Sequence, residues 1–177
     1  MNHHTTLISL ASLHQAIVHG LQCKLKAPVW IAAYPAIQRT LALPAVLIEL
    51  TELEPGDDPG TGETALVAHL QARVMVDPNQ PQAELSVRKL AAQVAVALTH
   101  EQWGLPITQA KLSRMGEALI KSDLEGYLAW SVEWSHELHL GRVVWPYRDE
   151  SGMSLVVGFT ADESLPSSYQ LIEERAC

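Results

Sequence analysis

Cysteine is scarce in this 177-residue chain, which carries only Cys23 and Cys177. Two cysteines so far apart make neither a CxxC pair nor a disulfide framework, so both read as thiols of a reducing compartment. Positive charge is scarce as well. Twelve Lys and Arg stand against 20 Asp and Glu, a formal net charge of −8 with the eight His neutral. Affinity for phosphate backbones comes largely from Lys and Arg displacing counterions, so this balance argues against a nucleic-acid-binding protein. No apolar run approaches the roughly 18 residues of a spanning helix, and Met1-Asn2-His3-His4 lacks the basic start of a signal peptide. The expected location is the cytoplasm, with no membrane partner. What is present is apolar material: 47% of the residues are hydrophobic and only 18% charged. That is too apolar for a disordered chain and suits a single domain with a real core.

Leu10, Leu13, Ile17 and Leu21 recur at steps of three and four, which predicts a helix from Thr5 or Thr6 to about Lys24 with a threonine as N-cap. Gly20 weakens its last turn. Pro28 closes it, and Val29 to Tyr34 reads as a strand. Ala45 to Leu53 is apolar on both parities through Ile48, which suits a strand covered on both faces near the middle of a sheet. Glu54 to Glu63 then holds three Gly, two Pro and four acids in ten residues. Such a stretch reads as a long solvated loop, mobile in a lone subunit.

From Thr64 to Asp77 the alternation is strict. Leu66, Ala68, Leu70, Ala72, Val74 and Val76 share a core face, while Val67, His69, Gln71, Arg73 and Met75 share the other. This strand forms a hairpin with Ala45 to Leu53. Ala83 to about His100 puts Leu90, Ala91, Val94, Ala95 and Leu98 on one stripe, a second helix stopped by Trp103-Gly104-Leu105-Pro106. Ile107 to Ile120 reads as a strand, and Gly126 to Leu140 as a long one. On the latter Leu128, Trp130, Val132, Trp134, Leu138 and Leu140 face the core, and Tyr127, Ser131, Glu133, Ser135, Glu137 and His139 face away. Short strand-like runs, Leu155 to Phe159 and Tyr169 to Ile172, remain. Hairpins rather than βαβ units give an α+β class, a mainly antiparallel sheet with two helices on one face. Residues 1–141 form that domain; 142–177 form a C-terminal extension packed on it or on a neighbouring subunit.

No catalytic constellation emerges. His136 and His139 are three apart, not the four of HExxH, and on a strand they point to opposite faces. His14 and His19 lie about 140° apart on a helix. The glycines from Gly56 to Gly62 lack the lysine of a phosphate loop and sit among acids. Glu133 and Glu137 are roughly 13 Å apart along a strand, too far for a glycosidase pair, and read as keeping a sheet face wet. Cys23 has no activating base in view and reads as a core or boundary residue. No enzyme activity, cofactor or metal is expected.

Whole segments carry a resemblance instead. An amphipathic helix leads to Leu43-Pro44-Ala45-Val46-Leu47-Ile48-Glu49-Leu50, then a Gly/Asp loop, then Leu70-Gln71-Ala72-Arg73-Val74-Met75-Val76-Asp77. An Ala-rich helix, Trp103-Gly104-Leu105-Pro106 and the run from Gly126 through Trp130 and Trp134 to Gly141 follow. Val156-Val157-Gly158-Phe159 and Tyr169-Gln170-Leu171-Ile172 close the pattern. This order resembles the tail terminator family of tailed bacteriophages and prophages, the group similar to minor tail protein U. The resemblance implies a homo-oligomeric ring, expected to be a hexamer, that caps the tail tube, stops its polymerisation and offers a surface to the head-tail connector protein. Its partners would be further copies of itself, the tail tube protein and the connector, and its final location the virion tail. The family offers no contact motif to carry over. Loops and an exposed strand face are the natural contact surfaces, which makes Asp57, Asp58, Glu63, His69, Gln71 and Arg73 the candidate interface. Two alternatives stand beside it: a related neck, baseplate or contractile-secretion adaptor, and a small-molecule-binding domain or enzyme.

Overall fold

The computed structural model describes residues 9–25, 28–33, 41–118, 126–144, 156–158 and 169–171. The chain divides into two compact units, Met1–Trp145 and Pro146–Cys177. In the first, helix α1 spans Leu10–Lys24 and is followed by strands β1 (Trp30–Ala33), β2 (Ala45–Pro55) and β3 (Thr64–Val76). Helix α2 (Ala83–Leu98) and strands β4 (Lys111–Glu117) and β5 (Leu128–Leu140) complete it. In the second, β6 (Val156–Gly158) and β7 (Tyr169–Leu171) form an antiparallel pair.

The α+β class is as the sequence pattern indicates. The five strands run in the order β1-β2-β3-β5-β4, with β1 parallel to β2 and every other pair antiparallel. Helix α1 begins later than its spacing predicts, because Ser9 and not a threonine caps it. Ser9 Oγ accepts the Ser12 N–H at 3.0 Å, and Ser12 Oγ accepts the Ser9 N–H at 3.0 Å. This reciprocal box satisfies two otherwise orphaned donors. Strand β4 is shorter than Ile107 to Ile120. Ile107 is buried, and the backbone before Lys111 bonds outside the ladder, Thr108 N–H to Glu137 O and Ala110 N–H to Glu101 O. Residues 119 and 120 of that predicted strand lie outside the described residues.

The β2–β3 hairpin forms over the expected segments, with one irregularity at Thr51. Leu50 and Leu53 are three apart, so strict alternation would send them to opposite faces. The register shifts between Leu50 and Glu52, so that Leu50 pairs Leu70 and Leu53 pairs Ala68, both on the helix-facing side. A β-bulge of this kind re-phases the strand and leaves Glu49, Glu52 and Glu54 together on the other side.

The main core lies between the helices and the sheet. Leu13, Ile17 and Leu21 from α1 and Val87, Ala91 and Val94 from α2 meet Ile48, Leu70, Val74 and Trp134. A second, smaller cluster of Leu41, Ala45, Leu47, Met75 and Ala129 covers the opposite face at one end of the sheet. It explains why β2 is apolar on both parities at its start. It also corrects the reading of β3 and β5 as strands with one wet face, since Met75, Arg73 and Ser131 are buried there.

Candidate functional site

The face of the sheet turned away from the helices carries three of the candidate contact residues, and each is differently placed. Arg73 is 6% exposed. Its Nε and Nη2 donate to Glu49 Oε2 at 3.2 and 3.1 Å. A guanidinium so enclosed is a fastening of the sheet, so the expectation of an exposed contact at Arg73 is wrong. The reason is the second cluster, which seals that end of the strand. Gln71 is half-buried, and its Nε2–H donates to Glu133 Oε1 at 3.2 Å. The Ser131 hydroxyl donates to the same oxygen at 3.3 Å, and Arg114 Nη1 lies 3.7 Å from it. Glu133 therefore ties three strands together and does more than keep a face wet. His69 stays partly open, with Nε2 3.1 Å from Glu54 Oε2.

Asp57, Asp58 and Glu63 sit beyond the end of β2. The loop starts at Gly56, because Glu54 and Pro55 still pair with Val67 and Leu66. Asp57 and Asp58 are exposed and Glu63 half-buried. The loop is more anchored than its composition indicates. Asp58 Oδ1 accepts the Gly60 N–H at 2.8 Å, Glu63 Oε2 accepts the Thr61 hydroxyl at 2.9 Å, and Val144 N–H donates to Thr61 O at 2.8 Å. Gly62 adopts φ +84°, and a Cβ there would lie 2.7 Å from Val144 Cγ2. Only glycine fits that left-handed backbone against the valine.

Two grooves on the helix side escaped sequence reasoning. One of about 480 Å³ is lined by Lys24, Leu25, Ala92 and Val96, and another of about 430 Å³ by Ala95, Leu98, His100, Ala110 and Leu112. Val96 is 74% exposed and Leu112 48%. The signal was present: Ala92 and Val96 are four apart on α2, off the stripe of Leu90, Ala91, Val94 and Leu98. Surface helix positions usually take polar residues, so the exposed Ala92 and Val96 give α2 an apolar strip outside its core stripe.

Between α1, the α2–β4 connection and β5 lies a buried polar network. Trp103 Nε1–H donates to His136 Nε2 at 3.0 Å, and His136 Nδ1 lies 2.7 Å from Thr108 O. An indole can only donate, so Nε2 must be the acceptor and Nδ1 carries the hydrogen. Burial pushes His136 below its ordinary value. Glu101 accepts the Trp103 backbone N–H at 2.9 Å and is paired with Lys24, whose ammonium holds it below the usual carboxylate range. Gly20 of α1 gives the indole its room, since a Cβ there would lie 2.4 Å from Trp103 Cε3. The helix therefore carries glycine at a packing contact, and the sequence alone shows only its cost.

His139 is exposed on the other side of β5. Among the described residues no three His, Cys, Asp or Glu side chains come together as a metal site, and no helix is long and apolar enough to cross a membrane. Cys23 is exposed, with Sγ 3.7 Å from His19 Nε2, and is not a core or boundary residue. The α1 stripe of Leu13, Ile17 and Leu21 turns it outward.

These surfaces belong to one class of scaffold, a five-stranded sheet backed by two helices. A chain from the virion of a native gene transfer agent (GTA) particle shares this fold, with a TM-score of 0.52 at 13% identity, over 74% of this chain and 98% of that one. No family profile and no curated protein sequence matches the chain.

Proposed function

We propose that the chain is a structural subunit of a phage-like particle and, within that class, a tail terminator. It forms a ring on the end of the tail tube, stops tube growth and presents a surface to the head connector. The observation that carries the class is the fold shared with a virion-particle chain over 98% of that chain's length. The terminator step rests on the segment order described above. A ring needs a heterologous contact, in which one surface of a subunit meets a different surface of the next. The apolar grooves beside Val96 and Leu112 supply one such surface, and the acidic hairpin tip at Asp57 and Asp58 is left for the tube or the connector.

Mass measurement over a concentration range, with negative-stain imaging, tests this reading. The expected result is a discrete oligomer that images as rings and binds the ends of tail tubes. Val96→Glu should leave the melting curve within about 0.5 kcal/mol of the parent, as exposed substitutions do, while abolishing the rings. A monomer at every concentration overturns the ring. Rings that ignore tube ends overturn the terminator step.

A further inference from the structure

We infer that His136, Trp103 and Thr108 form a proton-operated latch that holds the α2–β4 connection, and through it the end of α1, against the sheet. Neutral His136 has one N–H and one lone pair, and both are used: Nδ1–H toward Thr108 O at 2.7 Å and Nε2 from the indole N–H at 3.0 Å. A proton on Nε2 would place two N–H donors face to face, and a buried donor without an acceptor is costly. Trp103 then has to leave its seat. The three heavy atoms nearest a Cβ on Gly20 all belong to its ring, so α1 loses that packing contact with the connection at the same moment and keeps the Lys24–Glu101 ion pair named above.

Few charges oppose this step. From the α2–β4 connection Glu101 faces the imidazole and favours its protonation, but Glu101 is already paired with Lys24 from α1. From β3 the residue opposite is Ala68, and the adjoining Thr108 offers only its carbonyl. Burial is the largest influence and keeps the ring neutral. The sign follows from that. The unfolded chain takes up the proton near the ordinary histidine value of about 6.5, and the folded chain only at lower pH. The latch is fully engaged above that value, and its contribution is lost as pH falls from there through the lowered folded value.

The test is a side-chain ¹⁵N titration of the full chain from pH 8 to 4.5, with amide exchange followed over residues 99–110. His14, on α1, is also pushed down by burial, so the readout must be resolved by site. The expected result is His136 as the Nδ1–H tautomer, a midpoint below the ordinary value, and loss of the Trp103 indole N–H signal in step with it. Protection factors in the connection, which divide out the intrinsic pH dependence of amide exchange, should fall at least tenfold over the same pH range. Trp103→Phe removes the indole donor, so the His136 midpoint should move up and the connection should exchange faster at pH 7. His136→Gln offers an amide N–H to Thr108 and a carbonyl to Trp103, so its connection should stay protected down to pH 5. Protection lost at the same pH in His136→Gln overturns the latch. Should that variant fail to fold, an unchanged indole signal across the wild-type His136 titration overturns it equally.

Discussion

The two ends of the β2–β3 hairpin make instructive opposites. At the end where β1 joins, Ala45 to Ile48 and Val74 to Val76 are buried on both sides of the sheet, between the main core and the small cluster of Leu41, Leu47 and Met75. At the other end β2 is exposed from Thr51 to Pro55, and the acids Glu52, Glu54, Asp57 and Asp58 project from it. One continuous hairpin thus has a root enclosed on both sides and a tip whose acidic side chains face solvent. Mutations at the root should register as stability, and mutations at the tip as assembly.

The largest effect is expected at Trp134, 1% exposed and part of the main core opposite Leu70. Trp134→Ala should cost ~3–5 kcal/mol in denaturant unfolding, from lost burial and the cavity left behind. Trp130 shares that face but is only partly buried, with the Arg88 guanidinium 5.6 Å over its ring. Its alanine variant should cost clearly less, and equal costs would break the assigned difference in depth.

Arg73 and Arg114 sharpen the comparison within one sheet face. Arg73→Ala leaves the Glu49 carboxylate, whose side chain is 17% exposed, without its guanidinium. Removing one partner of an enclosed ion pair costs about 3 kcal/mol. Arg114 is 62% exposed and 3.7 Å from Glu133. Arg114→Ala should change unfolding by under ~0.5 kcal/mol, since exposed pairs contribute little. Gly20→Ala comes next: the added methyl meets the Trp103 ring, and overpacking of this kind costs about 1–3 kcal/mol although alanine favours helix. A stabilised Gly20→Ala protein would show that the indole does not occupy that notch.

Period and parity made the strands and helices legible, because a repeat of two or of about 3.6 is a local property of the chain. The stripe of Leu13, Ile17 and Leu21 and the alternation from Ala68 to Val76 needed no knowledge of what lay opposite. What stayed hidden depended on partners distant in sequence. Arg73 reads as exposed by alternation, and its enclosure beside Glu49 and across from Leu47 depends on strand β2, over 20 residues earlier in the chain. His136 shares its parity with Trp134 and Leu138, a hint of burial, yet its acceptor role requires Trp103, 33 residues away. The bulge at Thr51 was marked by the spacing of Leu50 and Leu53, a local signal that strict alternation cannot absorb.

The smallest effect on stability is expected at the tip, where Asp57→Asn and Asp58→Asn are best made together. Asparagine keeps the side-chain oxygen that accepts the Gly60 N–H, so the turn survives while two negative charges disappear. Both side chains are exposed, and the melting curve should stay within about 0.5 kcal/mol of the parent. If the tip meets a basic surface on the tube or the connector, those charges steer the encounter, and their loss should slow joining and flatten its dependence on salt. The measurement is the rate at which tails carrying the variant join heads, taken at several ionic strengths. Slower joining at low salt that converges with the parent at high salt places the tip at the contact. An unchanged rate at every salt concentration makes the tip a linker, and the search then moves along β3 to His69, the one candidate residue of that strand that is neither enclosed, as Arg73 is, nor tied to Glu133, as Gln71 is.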